Sequence, residues 1–460
     1  MTETVKIISP IDERVYAERP LASGADIEAA VTRAKAARRG WGEVTIAERA
    51  KIMSHFVDAL LAMNDDIVPE LAWQMGRPIR FGGEKRGIEE RARYMIDLAA
   101  EALAPMEKPG KDGFVRFITR EALGTVMVIA PWNYPFLTAV NSIVPGLMAG
   151  NSVILKHASQ TLLAGERFAM AAARAGLPEG LFQNLVLGHA ETEKLIGSGA
   201  IDHVNFTGSV EGGRRIERAA AGTFATLGLE LGGKDPAYVR ADADLANAAE
   251  NLVDGSFFNS GQSCCGIERI YVHEAVYGDF VERFVENARG WTLGNPMDPD
   301  TIVGPMARGN FADHVRLQTA EAVRSGATRL LNASHDLDQH GSPYLAPEVL
   351  TNVNHQMSVM REESFGPVVG IMKVADDDEA VTLMNDSPYG LTASIWTGDL
   401  DAAARLGSRV ETGTVFANRC DYLDPALVWT GVKDTGKGGA LSEIGYANLT
   451  QPKSYHLKQV

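Results

Sequence analysis

A short loop in the second half of the chain carries two of the three cysteines, Cys264 and Cys265. The loop follows an apolar segment that reads as a helix, and the glycine and serines within 260–263 loosen the backbone before the next strand-like run. Loops held between rigid elements often carry catalytic groups, and a partly deprotonated cysteine there is a nucleophile. A free cysteine is also often a small buried hydrophobe, so this segment alone leaves both interpretations open.

Glu230 is a carboxylate between two leucines, Leu229 and Leu231, at the end of an apolar strand-like run. An unpaired acid in such a place is costly to bury unless its pKa rises or it has a chemical task. A carboxylate whose pKa is raised towards neutrality is suited to act as a general base. The alternative is a salt bridge to Lys234 or to an arginine.

Two further turns each join a strand-like run to a helix. Asn133 lies in the proline-bounded turn 131–135, where its amide either forms a turn or helix cap or donates to a developing oxyanion. Gly208 and Ser209 lie in segment 205–213, where backbone N–H groups and a helix dipole would accept a pyrophosphate. The glycine spacing differs from the dinucleotide-binding fingerprint, so a glycine-lined packing contact is an equal alternative.

The segments around these residues alternate between strand-like and helical patterns. The first hundred residues are predicted to be helical, at 25–39, 45–74 and 84–104. The predicted strands that follow are 114–120, 125–130, 152–155, 183–187, 203–206 and 225–229. The helices predicted between them include 136–148, 161–175 and 210–221. This alternation predicts a parallel sheet covered by helices on both faces.

A second alternating stretch begins after a seam near residues 232–235. Its predicted strands are 269–273, 348–353, 368–374, 392–396 and 414–418, and its predicted helices include 275–288, 313–325 and 377–385. The fold class is therefore α/β, with two doubly wound parallel-sheet units. The tail at 451–460 alternates weakly and is predicted to add a strand to a sheet, with another subunit as one candidate partner.

Composition excludes several classes of function. The chain has 44 basic and 59 acidic residues and a net charge of −15, and a net acidic surface repels nucleic-acid phosphates. No apolar run is long enough to cross a bilayer, and the first ten residues lack a signal-peptide pattern, so we expect no membrane association and a cytoplasmic location. Three cysteines are too few for a disulfide scaffold, and no metal site is predicted.

Taken together, these segments resemble the aldehyde dehydrogenase superfamily, and the likeness runs nearly end to end. The family's motifs are, in order, Pro-Trp-Asn, a lysine-bearing strand, Phe-Thr-Gly-Ser, Glu-Leu-Gly-Gly-Lys, Gly-Gln-x-Cys and Glu-x-Phe-Gly-Pro. The chain has all of them in that order, at 131–133, 155–156, 206–209, 230–234, 261–264 and 363–367. Chance agreement of the whole series is negligible.

The resemblance implies the catalytic residues. Cys264 matches the nucleophile, and Cys265 is then a neighbour without a chemical role. Glu230 matches the base that activates the deacylating water, and Asn133 with the backbone N–H of Cys264 matches the oxyanion hole. The implied reaction is NAD(P)-dependent oxidation of an aldehyde to a carboxylic acid, through a thiohemiacetal and a thioester on Cys264.

The resemblance also implies which residues bind NAD or NADP. Lys156 is expected at the adenosine ribose, and Gly208 and Ser209 are expected at the pyrophosphate. Glu363 is expected at the nicotinamide ribose, with Phe365 against the nicotinamide ring. The complete implied set is Trp132, Lys156, Ser159, Gly208, Ser209, Gly232, Glu363 and Phe365.

Two departures from the family pattern bear on specificity. Ser159 stands where the family often has a glutamate that repels a 2′-phosphate, so we expect NADP to be usable; if Ser159 only makes a turn, NAD stays favoured. Arg419 should border the substrate entrance, where it would bind the far carboxylate of a semialdehyde. Pairing with Asp421 and a surface position are the alternatives for this arginine.

The family fold implies a domain organisation. Residues 1–233 would form the cofactor-binding domain, interrupted near 107–124 by a β-hairpin that serves oligomerisation. Residues 234–433 would form the catalytic domain, and residues 434–460 would return to the cofactor domain and end in an oligomerisation strand. A homodimer or homotetramer is implied.

Two other functions remain as alternatives. One is a catalytically silent relative, which the intact Cys264, Glu230 and Asn133 argue against, because a buried acid is costly without a task. The other is a relative that passes the acyl group to coenzyme A or phosphate, and such coenzyme-A-acylating relatives generally lack the base at Glu230. The sequence does not indicate whether the aldehyde is aliphatic, aromatic or a semialdehyde.

Overall fold

A computed structural model describes residues 3–331 and 335–460. The strands are β1 Thr4–Ile8, β2 Val15–Pro20, β3 Met106–Glu107, β4 Phe114–Ala122, β5 Thr125–Ala130, β6 Ser152–His157, β7 Phe182–Asn184, β8 His203–Thr207, β9 Thr226–Glu230, β10 Asp235–Val239, β11 Ile267–His273, β12 Thr328–Arg329, β13 Glu348–Thr351, β14 Val368–Val374, β15 Thr392–Trp396, β16 Thr414–Ala417, β17 Gly436–Lys437 and β18 Thr450–Lys458. The α-helices are α1 Gly24–Gly42, α2 Ile46–Leu61, α3 Asn64–Met75, α4 Lys85–Ala102, α5 Pro135–Met148, α6 Leu162–Arg174, α7 His189–Gly197, α8 Val210–Ala220, α9 Leu245–Phe257, α10 Tyr277–Arg289, α11 Gly309–Arg324, α12 Ser358–Arg361, α13 Asp377–Asn385, α14 Leu400–Gly407 and α15 Ser442–Asn448. None of the helices in this part of the chain combines the length and the apolar character needed to cross a membrane.

Most strands belong to two large sheets. The order in the six-stranded sheet is β17-β9-β8-β5-β6-β7, and the order in the seven-stranded sheet is β12-β13-β14-β11-β10-β15-β16. Neighbouring strands run parallel, except that β17 and β12 are antiparallel edge strands. The predicted α/β fold class is confirmed.

Both faces of each large sheet are buried. In β5, Val126 and Val128 belong to one apolar core with α2, α5 and α6, whereas Met127 and Ile129 belong to another with α1, α7 and α8. In β10, Ala237 and Tyr238 likewise fall into different cores. Because successive side chains of a strand point to opposite faces, a strand that is apolar throughout needs helices on both sides.

The C-terminal strand β18 pairs with β4 along its whole length, from Thr450 opposite Ala122 to Lys458 opposite Phe114. Together with β3 these strands form a separate three-stranded sheet. The rings of Phe117 and Tyr455 stack across the pair with centroids 4.5 Å apart. The tail therefore adds a strand as predicted, and its partner is a strand of the same chain.

The prediction that the first hundred residues are helical is wrong at two places. The segment before α1 forms an antiparallel pair, β1 and β2, which alternates between exposed and less exposed residues and has no helical stripe. The single helix predicted over 45–74 is broken between Leu61 and Asn64. The acidic residues Asp65 and Asp66 lie in the first turn of α3, where they favour a new helix N-terminus.

Candidate active site

Two cavities meet at the carboxyl ends of β8 and β9. The first cavity has a volume of about 380 Å³ and the second about 470 Å³. Both are lined by Thr207, Glu230, Leu231 and Cys264. The two residues predicted to carry the chemistry, Cys264 and Glu230, therefore lie in the wall that the cavities share.

The loop that presents Cys264 is held by its neighbour Asn259. Asn259 and Ser260 have positive φ angles of 54° and 58°, a conformation that asparagine tolerates better than most residues. The Asn259 amide donates to the carbonyl oxygens of Asn133 and Gln262 at 3.1 and 3.2 Å. Gly261 follows with φ +69°, and a Cβ there would lie 2.3 Å from the carbonyl carbon of Gly366. The loop is thus fixed against both segments that flank the second cavity.

The adjacent cysteines have different surroundings. Cys264 is partly accessible and lines both cavities, whereas Cys265 is buried and lines only the first. The Cys265 thiol donates to Asp421 Oδ1 at 2.8 Å. Its hydrogen bonding to Cys264 and its burial raise the pKa of Cys265 well above the usual range for a thiol. Of the two thiols, Cys264 is the one placed to meet a ligand from either side.

Glu230 is the last residue of β9, and its backbone is fixed on both sides. Its carbonyl accepts from the N–H of Gly208 at 3.1 Å, and the following N–H of Leu231 donates to Thr435 at 2.9 Å. Thr207 Oγ1 donates to its carboxylate at 3.3 Å. Burial raises the pKa of Glu230 to about 7, so near neutral pH about half of the molecules have this carboxyl ionised and able to act as a base.

The alternative salt bridge between Glu230 and Lys234 is wrong. The Lys234 ammonium is buried and instead pairs with Glu268. Glu268 also accepts from the backbone N–H groups of Ser364 and Phe365, each at 2.9 Å. This ion pair therefore ties the segment after β9 to the Glu-x-Phe-Gly-Pro segment.

We expect the substitution Lys234→Met to lower the free energy of unfolding by about 3–5 kcal/mol, because it leaves Glu268 buried without its cation. Urea denaturation followed by circular dichroism measures the change. The exposed pair Lys437–Glu217 gives the matched control, and Lys437→Met should cost less than about 1 kcal/mol. Equal losses for the two variants would contradict the assigned role of the buried pair.

Asn133 is buried, and its amide Nδ2 donates to the carbonyl of Gln262 at 3.2 Å. The backbone carbonyl of Asn133 accepts from the Arg77 guanidinium at 2.5 Å. The N-terminus of α5 is capped by another residue, Glu84, whose carboxylate accepts from the N–H groups of Phe136 and Leu137 at 3.0 and 2.7 Å. The helix-cap interpretation of Asn133 is therefore wrong.

The residues that position Asn133 were not predicted from the sequence. Arg77 forms a buried ion pair with Glu84 and also donates to the side chain of Asn259 at 3.2 Å. Arg77 and Glu84 are seven residues apart, whereas Asn259 lies 182 residues further along the chain than Arg77. Glu84 and Asn259 both have positive φ angles, but these are a property of the folded backbone and gave no signal in the sequence.

The second cavity opens onto the N-terminus of α8. Ser209 caps that helix by accepting from the N–H of Gly212 at 3.2 Å. A Cβ at Gly208 would lie 2.7 Å from the ring of Phe206, so a side chain there would need the ring to move. Lys156 at the end of β6 is buried and lines the same cavity, and burial lowers its pKa. A buried ammonium and a helix N-terminus suit a ligand with hydroxyl and phosphate groups.

The other end of the second cavity is lined by Trp132, Gly232, Glu363 and Phe365. Glu363 accepts from the N–H of Gly233 at 3.0 Å, and a Cβ at Gly232 would lie 2.3 Å from its carboxylate. Burial and the nearby Glu268 raise the pKa of Glu363 to about 8. The rings of Trp132 and Phe365 meet edge to face with centroids 5.5 Å apart. All four residues are therefore brought together as the sequence predicts.

Ser159 is placed differently from the rest of the predicted set. It is half-buried at the start of a short 3-10 turn, Ser159–Thr161, and the preceding residue Ala158 is the one that lines the second cavity. An adjoining pocket of about 240 Å³ is lined by Lys156, His189 and Arg215. His189 and Arg215 lie in no recognisable motif, so sequence reasoning missed them.

Arg419, predicted to border the substrate entrance, lines the first cavity and is exposed. Its guanidinium lies 3.5 Å from the ring centroid of Tyr422. Asp421 accepts from Cys265 instead of pairing with Arg419. The arginine is thus held against an aromatic ring at the rim.

Comparisons with known proteins identify the family of the chain. The chain is 33% identical over 450 residues to the NADP(+) succinate-semialdehyde dehydrogenase of Deinococcus radiodurans, covering 97% of this chain and 93% of that protein. It is 35% identical over 461 residues to the 3-sulfolactaldehyde dehydrogenase of Priestia aryabhattai, covering 98% and 94%. A solved structure of indole-3-acetaldehyde dehydrogenase complexed with NAD+ superimposes with a TM-score of 0.94 at 30% identity, covering 99% and 93%. The family model for the aldehyde dehydrogenase family matches residues 1–455, and the chain belongs to that family.

Proposed function

We propose that the protein oxidises an aldehyde to a carboxylic acid through a thioester on Cys264, which water activated by Glu230 then hydrolyses. The observation that carries this proposal is the shared wall of the two cavities, where both residues lie. An aldehyde in the first cavity and a dinucleotide in the second would meet there. As a member of this family the enzyme uses NAD or NADP.

The first step is attack of the Cys264 sulfur on the aldehyde carbon, which gives a thiohemiacetal whose oxygen is negatively charged. Asn133 lies beside the nucleophile loop, and its amide has a second N–H besides the one directed to Gln262. We assign that N–H, with the backbone N–H of Cys264, to stabilising the oxyanion. Asn259 and Arg77 hold the backbone carbonyl of Asn133, and the Gln262 carbonyl accepts from its side-chain amide, so both the backbone and the side chain of Asn133 are fixed.

The residues around the second cavity fit a nicotinamide dinucleotide. Lys156 would hold the adenosine ribose, the α8 N-terminus with Gly208 and Ser209 the pyrophosphate, and Glu363 the nicotinamide ribose. When bound, the cofactor supplies the hydride acceptor that turns the thiohemiacetal into a thioester. The aromatic pair Trp132–Phe365 lines the same cavity and would pack against the nicotinamide ring.

The final step is hydrolysis. Glu230 faces both cavities, and its raised pKa lets it take a proton from water and return it near neutral pH. The presence of Glu230 as a base beside Cys264 favours hydrolysis of the thioester over acyl transfer to coenzyme A. Product analysis tests the choice: the free carboxylic acid should form at the same rate with and without coenzyme A. Formation of an acyl-coenzyme A product would overturn it.

We propose that NADP is accepted because basic residues surround the adenosine end of the cofactor site. Arg215 and His189 line the pocket beyond Lys156, and Arg215 is held by Glu193 at 2.7 Å. We expect Arg215→Ala to lower kcat/KM for NADP by about 10–100-fold and for NAD by less than about threefold, since only NADP carries a 2′-phosphate.

The matched control is Arg218→Ala on the same helix, an exposed residue paired with Glu211. Arg218→Ala should leave kcat/KM for NADP and for NAD unchanged. Initial rates at saturating aldehyde measure the effect for each cofactor. Equal losses for NAD and NADP in Arg215→Ala would contradict the assignment, and a variant at Ser159 then becomes the next test of the sequence prediction.

We also propose the domain organisation that the resemblance implied, with cofactor-binding residues 1–233, catalytic residues 234–433 and returning residues 434–460. The six-stranded sheet draws its strands from residues 125–230 and 436–437, and the seven-stranded sheet from residues 235–417, which supports this division. The three-stranded sheet would serve oligomerisation. Its strand β18 is largely exposed in the single chain, and such an edge is a ready partner for another subunit.

A further inference from the structure

The first cavity contains a buried cation. Arg91 on α4 lines this cavity and is only 9% exposed. The hydrogen bond that its guanidinium makes to the rest of residues 3–331 and 335–460 goes to the carbonyl of Leu137, at 3.2 Å. Within those residues its guanidinium forms no salt bridge. An arginine stays charged when buried, so an uncompensated one is costly unless an anion is supplied.

The acids of the cavity do not supply that anion. Glu90, which also lines the cavity, is exposed and accepts from the Tyr422 hydroxyl. Glu230 accepts from Thr207, and Asp421 accepts from the Cys265 thiol. Burial raises the pKa of both carboxyls to about 7, so each is partly protonated at neutral pH. A ligand that carries a full negative charge would therefore neutralise Arg91 better than the protein does.

A second polar group in the same cavity also lacks a partner. Asn141 on α5 lines the cavity and is 3% exposed, yet neither Oδ1 nor Nδ2 of its amide has a hydrogen-bond partner in the described part of the chain. Buried amides are almost always hydrogen-bonded, so this one calls for a ligand. Asn141 follows Leu137 by one helical turn, and the Leu137 carbonyl is the one that holds Arg91.

The remaining wall of the cavity is largely apolar, with Leu137, Phe258, Leu391 and Trp429 among the lining residues. A ligand that reaches from Cys264 to Arg91 therefore needs a reactive aldehyde, a short apolar chain and a terminal group that accepts hydrogen bonds from a cation and an amide. A carboxylate meets that last requirement, because it has two acceptor oxygens and a negative charge.

We propose that Arg91 and Asn141 form the site that recognises a carboxylate at the far end of a short-chain aldehyde. The inference rests on the proposed function, since it places the aldehyde at Cys264. Arg91 would donate charge-assisted hydrogen bonds to the carboxylate, and the Asn141 amide would donate a further one. Arg419, which the sequence suggested for this task, instead stacks on Tyr422 at the exposed rim.

The test compares two aldehydes, 4-oxobutanoate and the neutral pentanal. We expect Arg91→Met to lower kcat/KM for 4-oxobutanoate roughly 100-fold, mainly through KM, and for pentanal by less than about threefold. Asn141→Leu should lower kcat/KM for 4-oxobutanoate about tenfold. Arg91→Lys keeps the positive charge, so it should retain more of the preference for 4-oxobutanoate over pentanal than Arg91→Met does. The control is Arg93→Met on the same helix, where an exposed arginine pairs with Asp58 and Glu89.

A binding measurement separates this inference from the proposed chemistry. Calorimetric titration of butanedioate into the Cys264→Ala protein needs no turnover, and Arg91→Met in that background should weaken the Kd at least about tenfold. Arg91-dependent binding without turnover of either aldehyde would support the site while refuting the proposed function. A wild-type enzyme with no preference for 4-oxobutanoate over pentanal would overturn the inference. So would an Arg91→Met enzyme whose kcat/KM falls equally for both aldehydes while its Kd for butanedioate is unchanged.

Discussion

The substitution Cys264→Ala is expected to lower aldehyde oxidation by at least about 10³-fold, because the covalent route through the sulfur is removed. Cofactor binding should persist, since Lys156, Glu363 and the α8 N-terminus are untouched. The rate is measured from the appearance of reduced cofactor at saturating aldehyde, and cofactor binding is measured by quenching of protein fluorescence.

The neighbouring residue gives the matched control. Cys265→Ala should keep most of the activity, within about fivefold, because that thiol is buried and points to Asp421. A thiol-directed aldehyde analogue should label wild type and Cys265→Ala, and spare Cys264→Ala. If both substitutions abolish activity and labelling equally, the assignment of Cys264 as nucleophile is wrong.

The order of strands and helices around the site followed from local patterns. Strand β5 is an unbroken apolar run, and such runs identify strands buried on both faces. Strand β10 has the same environment and was not predicted, because Asp235 and Pro236 at its start suggest a turn. Asp235 is tolerated there because its carboxylate accepts from the N–H and hydroxyl of Thr392 at 3.1 and 2.5 Å. That partner is 157 residues away, out of reach of a local pattern.

The proposed catalytic residues were recognisable because each lies in a short motif next to the end of a strand or helix. Arg91 and Asn141 have no such motif, since they lie within helices among ordinary neighbours. Their significance depends on a missing partner, and a missing partner is defined only by the tertiary structure. The same holds for Arg77 and Asn259, which act on Asn133 across long stretches of chain. The residues that we propose to touch the reacting atoms were thus predictable, whereas those that we propose to select the substrate or to position Asn133 were not.

The substitution Glu230→Gln is expected to stall the enzyme after the thioester forms. A single burst of reduced cofactor, about one equivalent per active site, should precede a steady rate that is lower by about 10²–10⁴-fold, because only the deacylating water loses its base. Stopped-flow absorbance resolves the burst, and mass spectrometry should detect the acyl group on Cys264.

The pH dependence of the wild-type enzyme provides the companion measurement. A base must be deprotonated to act, and burial raises the pKa of Glu230 to about 7, so the deacylation rate should fall as pH decreases through 7. At pH 6 about one tenth of the carboxyl is ionised, which predicts about a tenfold lower rate at saturating substrates. Asp421→Asn is the matched control, since Asp421 has a similarly raised pKa and lines the same cavity. The acidic limb should persist in Asp421→Asn and vanish in Glu230→Gln. The opposite pattern, or a Glu230→Gln enzyme that shows no burst, would mean that Glu230 acts before hydride transfer or not at all.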